Sequence, residues 1–348
     1  MIKPYFLFLL IVFNVSNVFT QESKRYKIRT VAFYNVENLF DTINNPDTFD
    51  DDRTPKGRYH WTSEAYFDKI EKIARVISEI GLETTQHAPD IIGLVEIENI
   101  NVLNDLVRNS SIANNDYGII HRDSKDRRGI DVALLFRKSV FIPSDIKTYP
   151  LILINDNGFR DYTRDILVVS GYLDEEKIHF IVNHWPSRRG GELKSKPRRM
   201  AAASLNKKII DSILRLDANA KVISMGDFND DPYNSSFKKI LKTKGEKDTI
   251  NQPYLYNPME KISKRGEGSL AYRDQWNLFD QFFFTAPLLE KKDTTYFYWK
   301  AGIFNKGYLV TPSGRYQGYP FRSYANGNYT GGYSDHFPIY LYLIKEVK

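Results

Sequence analysis

The sequence predicts an α+β fold in which two β-sheets pack on each other and helices lie outside them. Three observations predict it. Many short segments read as strands, and several, such as "HFIVN" and "KVISM", are nearly continuous apolar runs of the kind buried on both faces. A few longer segments carry an apolar stripe at helical spacing. Polar clusters fall at the ends of some strands and at the starts of others, and they share one edge only if some strands run antiparallel. A purely parallel barrel, with its site at the carboxyl ends of its strands, would not produce the second kind.

In chain order, the strand segments are 28–34, 91–95, 116–121, 130–137, 165–173, 177–183, 221–225, 278–285 and 337–344. The clearest helix is "SEAYFDKIEKIARVISEIG". Ser63 caps it, Ile70, Ile73, Ala74, Ile77 and Ile80 form the stripe, and Gly81 stops it. "NVLNDLVRNS" (101–110) is a shorter helix, and "RRMAAASLNKKIIDSILRL" (198–216) is long and strongly periodic. The stretch 296–333 is rich in aromatics, Gly and Asn; most of its rings are expected in the core or a hairpin, and stacking on bases is the alternative. The acidic loop 45–57 lacks the spacing of a dedicated calcium loop and reads as solvated.

Residues 1–20 lie outside this fold. Lys3, an apolar run from Tyr5 to Phe13, and then Val18 and Thr20 read as a cleaved signal peptide, which predicts a secreted or periplasmic protein. A membrane anchor needs about 20 unbroken apolar residues, and Asn14, Ser16 and Asn17 interrupt this run too early. Residues 21–348 then form one domain, expected to be monomeric with no protein partner and no stable membrane anchor. The chain has no cysteine, which excludes disulfides, thiolate metal sites, a Cys nucleophile and a lipid-modified Cys together. Removing residues 1–20 lowers the formal net charge from +6 to +5, a mild excess that tolerates an anionic partner without establishing one.

The polar clusters carry the functional reading. "TVAFY" runs into Asn35 and Glu37, "DIIGLV" into Glu96 and Glu98, "HFIV" into Asn183 and His184, and "KVISM" into Asp227 and Asn229. Asp131 opens "DVALLF", and Asp335 and His336 precede "FPIYLYLI". Each cluster alone reads as a turn, because Asp, Asn, Gly and Pro are the usual turn residues. His60, His87, His121 and His179 sit in no such constellation and read as structural. Together, converging carboxylates, an Asn and two His suit metal-assisted phosphate chemistry, because a hard divalent cation takes carboxylate and amide oxygens.

On these motifs the sequence resembles the endonuclease/exonuclease/phosphatase superfamily, the deoxyribonuclease I-like fold, and in particular its secreted bacterial members. The likeness runs from "FYNVENLF" through "PDIIGLVEIEN", "RRGIDVALLF", "VNHWPSRRGG", "GDFNDDP" and "FDQFFF" to "YSDHFPI". It implies a four-layer α/β/β/α sandwich of two mixed, mostly antiparallel sheets. It also implies Glu96 as principal metal ligand, with Asn35, Glu37 and Asp335 beside the metal, which is Mg²⁺ with Mn²⁺ or Ca²⁺ as alternatives. His184, Asp227, Asn229, Asp280 and His336 become the catalytic set: Asp227 and Asn229 handle attacking water and phosphate oxygen, and Asp280 orients His336. Asp131 is expected near substrate and paired with His184.

The resemblance leaves the substrate open, since one fold hosts many phosphoesters. Basic density at Arg127, Arg128, Arg188, Arg189, Lys194, Lys196, Arg198 and Arg199 tilts it toward nucleic acid. Arg188, Arg189 and Arg199 are accordingly expected to bind substrate, and a solvated basic surface is the plainer alternative. A secreted endonuclease acting on DNA or RNA through an activated water is the first expectation. A phosphatase or phosphodiesterase on a small ester or phospholipid head group is the second. A non-catalytic binding module comes last, because the catalytic groups are all present.

Overall fold

The computed structural model describes residues 24–292, 294–325 and 327–347, so the signal-peptide segment 1–20 lies outside the described residues. In chain order the strands of the two large sheets begin with β1 (Arg25–Leu39), β2 (Ile91–Ile97), β3 (Tyr117–His121), β4 (Asp131–Arg137) and β5 (Phe141–Tyr149). Then come β6 (Ile166–Leu173), β7 (Glu176–His184), β8 (Lys221–Asp227), β9 (Thr243–Lys244) and β10 (Leu255–Tyr256). The last three are β11 (Asp280–Phe284), β12 (Phe297–Ile303) and β13 (Ile339–Val347). One sheet runs β12-β13-β1-β2-β4-β3 and the other β9-β10-β11-β8-β7-β6-β5. Only β1–β2, β7–β8 and β9–β10 are parallel neighbours within these two sheets, so both sheets are mixed and mostly antiparallel.

The core explains the layering. Phe33, Val95, Leu134, Phe180, Met225 and Phe282 meet between the sheets with relative exposures near zero. Helices α1 (Ser63–Glu79) and α2 (Ile100–Arg108) cover the outer face of the first sheet, packing Ile73, Ile77, Leu103 and Leu106 onto Ala32, Leu94 and Leu135. Helix α3 (Glu192–Leu216) covers the second through Ala202, Ala203, Ile209 and Ile210. Strands buried on both faces read as unbroken apolar runs for this reason. The four-layer sandwich is the fold.

Four strands of the two sheets, β5, β9, β10 and β12, lie outside the expected segments, Thr62 rather than Ser63 caps α1 by accepting from Ala65 N, and α3 begins early. Strand β5 was invisible because it is an edge strand with most of its residues exposed and with Pro143 inside it. Helix α3 starts six residues before 198 and takes Pro197 into its second turn. Ser195 Oγ and Arg199 Nη2 donate to the Gly191 and Glu192 carbonyls at 2.7 and 3.2 Å, so side chains as well as backbone hold the start of the helix. The aromatic stretch 296–333 is mostly structural, as expected: Tyr296, Phe297 and Tyr298 are buried at β12, and Tyr324 and Tyr329 pack on Trp61 beside α1.

The two sheets are also tied together far from the polar rim. Asp174 receives Arg29 Nε at 2.7 Å, Arg29 Nη2 at 2.8 Å and Tyr296 Oη at 2.6 Å. Burial alone would raise the Asp174 carboxyl, but the Arg29 and Tyr296 hydrogen bonds outweigh it and hold the group well below the usual carboxylate range. A carboxyl with a depressed folded pKa stabilises the fold above its unfolded pKa of about 3.9 and loses that contribution as pH falls through the folded value. Asp174→Asn therefore lowers the melting temperature at neutral pH, and its gap from the parent closes progressively below about pH 4. Melts from pH 2 to 7 test this; a gap that stays constant with pH would refute it.

Candidate active site

Strand register assembles the site. In the second sheet Asp227, the last residue of β8, pairs with His184 on parallel β7 and with Asp280 on antiparallel β11. A strand end and a strand start thus meet at one edge. In the first sheet Asn35 pairs with Val95, and the ladder shifts register between Asn35 and Leu39 and again between Val95 and Ile97. These bulges place Glu37 and Glu96 in left-handed backbone, at φ +50° and +64°, where they leave the pleat. Asn229 has the same conformation at +51°. Strain of this kind, of order 1–3 kcal/mol per residue, persists where the surroundings over-determine it and clusters at functional sites.

The side chains form one connected cluster. Asn35 Nδ2 donates to Asp227 Oδ2 at 3.2 Å, and Asn229 N donates to Asp227 Oδ1 at 3.0 Å. Asn229 Nδ2 donates to the Trp185 carbonyl at 3.1 Å. Glu96 Oε2 accepts from Asn38 N at 2.9 Å, while Oε1 accepts no hydrogen bond among the described residues and stands 3.8 Å from His184 Nε2. His184 Nε2 is 3.7 Å from Asp227 Oδ2. His336 Nδ1 lies 2.6 Å from Asp280 Oδ2, and its Nε2 is 4.0 Å from Asp335 Oδ1. The Ser334 hydroxyl fixes the approach of that segment by donating to the Asn35 carbonyl at 2.7 Å.

The two histidines are held in opposite states. Burial pushes His336 down, but Asp280 beside Nδ1, with Asp227 and Asp335, outweighs it and raises the ring well above its ordinary value. It carries a proton at neutral pH. His184 is pushed well below its ordinary value by burial, with Arg164, Arg128 and His336 adding repulsion, so it is a neutral imidazole. Burial lifts Asp227 up to about 7, against the pull of His336. Environments that separate the states of neighbouring titratable groups assign acid and base roles.

The donor set fits a hard divalent cation. Asp227, Asp280 and His336 place donor atoms within 4.8 Å of one another. A cation would sit on the carboxylate side of this group rather than at His336, because an imidazolium has no lone pair to offer. Glu96, with its open Oε1, and half-buried Asp335 could offer oxygen ligands to such a cation, with Asn35 Oδ1, which also accepts from Glu37 N at 2.9 Å, beside them.

Three expected placements need correction. Glu37 sits at the rim, but both its carboxylate oxygens are occupied: Oε1 accepts from Arg322 Nη2 at 3.0 Å, and Oε2 from Ser323 N at 2.6 Å and Ser323 Oγ at 2.9 Å. It anchors the 321–335 segment instead of coordinating a cation. Asp131 lies 3.5 Å from His121 Nε2 and accepts from Ser124 N at 2.9 Å, so it does not pair with His184. Arg199 is fully buried, and its Nε meets Asp230 Oδ1 at 2.6 Å, which leaves no path for substrate. Arg188 is largely committed too, donating to the Asn229 carbonyl at 2.9 Å and to Asp231 Oδ2 at 3.2 Å and lying over the Phe279 ring. Arg189 alone of that trio is exposed and unpaired among the described residues.

Sequence reasoning missed Arg322, Lys69 and Arg164. Arg322 bridges Glu37 and Asp335, the latter at 3.3 Å, with half its side chain exposed at the rim. Lys69, buried on α1, donates to the Glu37 carbonyl and to Ser323 Oγ. The only available signal was the closeness of Arg322 to Asp335 along the chain.

A two-sheet sandwich with a carboxylate-rich rim, one protonated and one neutral histidine and a paired Asp–Asn defines a phosphoesterase. A family model described as "Endonuclease/Exonuclease/phosphatase family" matches residues 30–345, and the chain belongs to that family. No curated protein matches it. Among solved structures it is similar to an endonuclease/exonuclease/phosphatase family protein of Bacteroides thetaiotaomicron at 18% identity and TM-score 0.55, covering 93% of this chain and 98% of that one. A mannosyl-6-phosphatase of the same organism matches at 17% and 0.54, covering 90% and 99%. D. rerio TDP2 complexed with single-strand DNA product matches at 13% and 0.52, covering 91% and 98%. At these identities the likeness shows the fold alone.

Proposed function

We propose that the chain is an exported, monomeric, divalent-metal-dependent phosphodiester hydrolase acting on nucleic acid. The observation that carries this reading is the Asp227–Asp280–His336 group: a buried carboxyl lifted to about 7 beside an imidazolium held by its own carboxylate. Asp227 orients and deprotonates the attacking water, being matched to proton transfer near neutral pH. Asn229 donates to a non-bridging phosphate oxygen without adding a repelling charge, and His336 gives its proton to the leaving oxygen. Neutral His184 donates to phosphate without competing for the cation's ligands. Glu96, Asp335 and Asn35 would hold a divalent cation, which would supply Lewis-acid neutralisation of the phosphate charge.

Arg128, Arg189, Lys194 and Arg198 gather on one side of the rim and favour a polyanionic substrate. The solved relatives include both a protein holding DNA product and a sugar phosphatase, so a small phosphate ester is the second reading. Export rests on the sequence of residues 1–20; among the described residues no helix is long and apolar enough to cross a membrane.

The test incubates the purified chain and Glu96→Ala with plasmid DNA, RNA and bis-p-nitrophenyl phosphate, with Mg²⁺, Mn²⁺ or EDTA. Polymer degradation that requires metal and is lost in the variant is the expected result. Intact polymers with hydrolysed small ester would replace the nuclease reading by the phosphodiesterase one.

A further inference from the structure

Beside the rim lies a cavity of about 520 Å³. Its walls come from the Asp126–Arg128 loop, the hairpin 153–161 with the residues that follow it, the stretch that links His184 to α3, and the first turns of α3. Five cationic side chains line it against three acidic ones. Two of the acids are neutralised in place: Asp126 by Arg164 at 3.1 Å and Arg128 at 3.6 Å, and Asp161 by Arg198 at 2.7 Å. Arg189 and Lys194 form no ion pair among the described residues.

Two buried polar atoms on the lining also lack a partner: Thr163 Oγ1 and Arg164 Nε, on residues 8% and 6% exposed. A donor buried without an acceptor is costly, more so when charged, so a site that keeps two of them is suited to a group that supplies acceptors. The cavity is coupled to the catalytic cluster through one atom. Arg164 Nη2 donates to the Trp185 carbonyl at 2.7 Å, and the same carbonyl accepts from Asn229 Nδ2 at 3.1 Å.

We propose that this cavity binds a second phosphate group of the substrate, next to the phosphate cleaved at the rim, with Arg189, Lys194, Thr163 and Arg164 as the groups that recognise it. The inference rests on the phosphoester reading of the rim and makes it more specific. The second phosphate is either the next phosphodiester of a nucleic acid or the second phosphoryl group of a small bisphosphate. A volume of this size also holds the sugar or nucleoside that joins the two. Arg189 and Lys194 supply the charge, and the Thr163 hydroxyl and Arg164 Nε supply the directed donors.

The test is equilibrium binding in EDTA, so that turnover plays no part. Two pairs of probes are titrated calorimetrically: thymidine 3′,5′-bisphosphate against thymidine 5′-phosphate, and fructose 1,6-bisphosphate against fructose 6-phosphate. The bisphosphate of at least one pair is expected to bind about tenfold more tightly, the equivalent of one charge-assisted contact. The pair that shows it identifies the source of the second phosphate. In the Arg189→Ala/Lys194→Ala double variant, with its melting temperature unchanged, the ratio falls to about one. A ratio of one for both pairs in the parent, or a preference that survives the double variant, overturns the proposal. A chain that shows the preference but cleaves no nucleic acid refutes the nuclease reading and leaves the cavity's assignment standing.

Discussion

His336→Ala lowers turnover by at least about 100-fold while the fold stays intact, and Asp227→Ala does the same, because general acid–base groups typically contribute 10²–10⁴-fold. His336 is buried between Asp280 and Asp335, its named partners are polar, and a melt of the variant reports the fold separately from turnover. Loss of the proton donor is therefore separable from loss of structure. Asp280→Asn provides the second arm. It keeps a hydrogen-bonding side chain at 2.6 Å from Nδ1 but removes the charge that raises the ring's pKa. A raised pKa keeps the imidazolium present to higher pH, so removing the charge moves the alkaline limb of the activity profile to lower pH. The measurements are kcat on a phosphodiester from pH 5 to 10 and a thermal melt of each variant. Near-normal turnover in His336→Ala removes it from the mechanism. An unmoved alkaline limb in Asp280→Asn removes the Asp280–His336 pair.

Arg199→Ala has the largest expected effect on stability, about 3–5 kcal/mol, the usual cost of deleting one partner of a buried ion pair. Both partners are out of solvent, with Arg199 at 0% and Asp230 at 2% exposure. Asp230 Oδ2 also accepts from Ser236 Oγ at 2.7 Å, and the Asp230 carbonyl accepts from Gln281 Nε2 at 2.7 Å. Without Arg199 the buried Asp230 carboxylate, directly after Asn229, keeps only the Ser236 hydroxyl and the more distant Arg188 Nη2 at 3.5 Å. Urea unfolding of Arg199→Ala, beside an apolar double replacement of Arg199 and Asp230, separates the buried charge from lost packing. The double variant is expected to be the more stable of the two. A single-variant loss under about 1 kcal/mol would show the pair to be a surface-like bridge.

These two arginine and histidine cases mark how far the sequence could be read. The strands legible in it were those buried on both faces, and the rim residues legible in it were those at their ends, His184, Asp227 and Asp280 among them. The edge strand Phe141–Tyr149 carries no such run, since it meets solvent along most of its length. Arg199 lies within "KSKPRRM", where Arg198 and Arg199 are indistinguishable by composition; the helix phase set by starting at Glu192 turns one outward and the other to Asp230. Glu37 fails for a related reason. Its motif places an acid at the rim, but the bulge that follows Asn35 decides where the carboxylate points, and that direction depends on Arg322 and Ser323, nearly 300 residues away. The crowded turn "GDFNDDP" divides along the same line. Asp227 and Asn229 face the rim, while Asp230 and Asp231 hold Arg199 and Leu278 N and keep the turn in place.

The pairing of β1 with β13 sets an order of events for a growing chain. Asn35 lies on the first of these strands, and Asp335 and His336 immediately precede the second, with Phe33 opposite Ile339 and Arg25 opposite Val347. A ribosome emits Asn35, Glu96, His184, Asp227 and Asp280 long before the segment that supplies the proton donor. Until Ile339–Val347 docks between β1 and β12, the cluster lacks both Asp335 and His336, and no partial product of synthesis has the complete hydrolytic set. For the hydrolase proposed above, activity then depends on the docking of Ile339–Val347 and does not precede it.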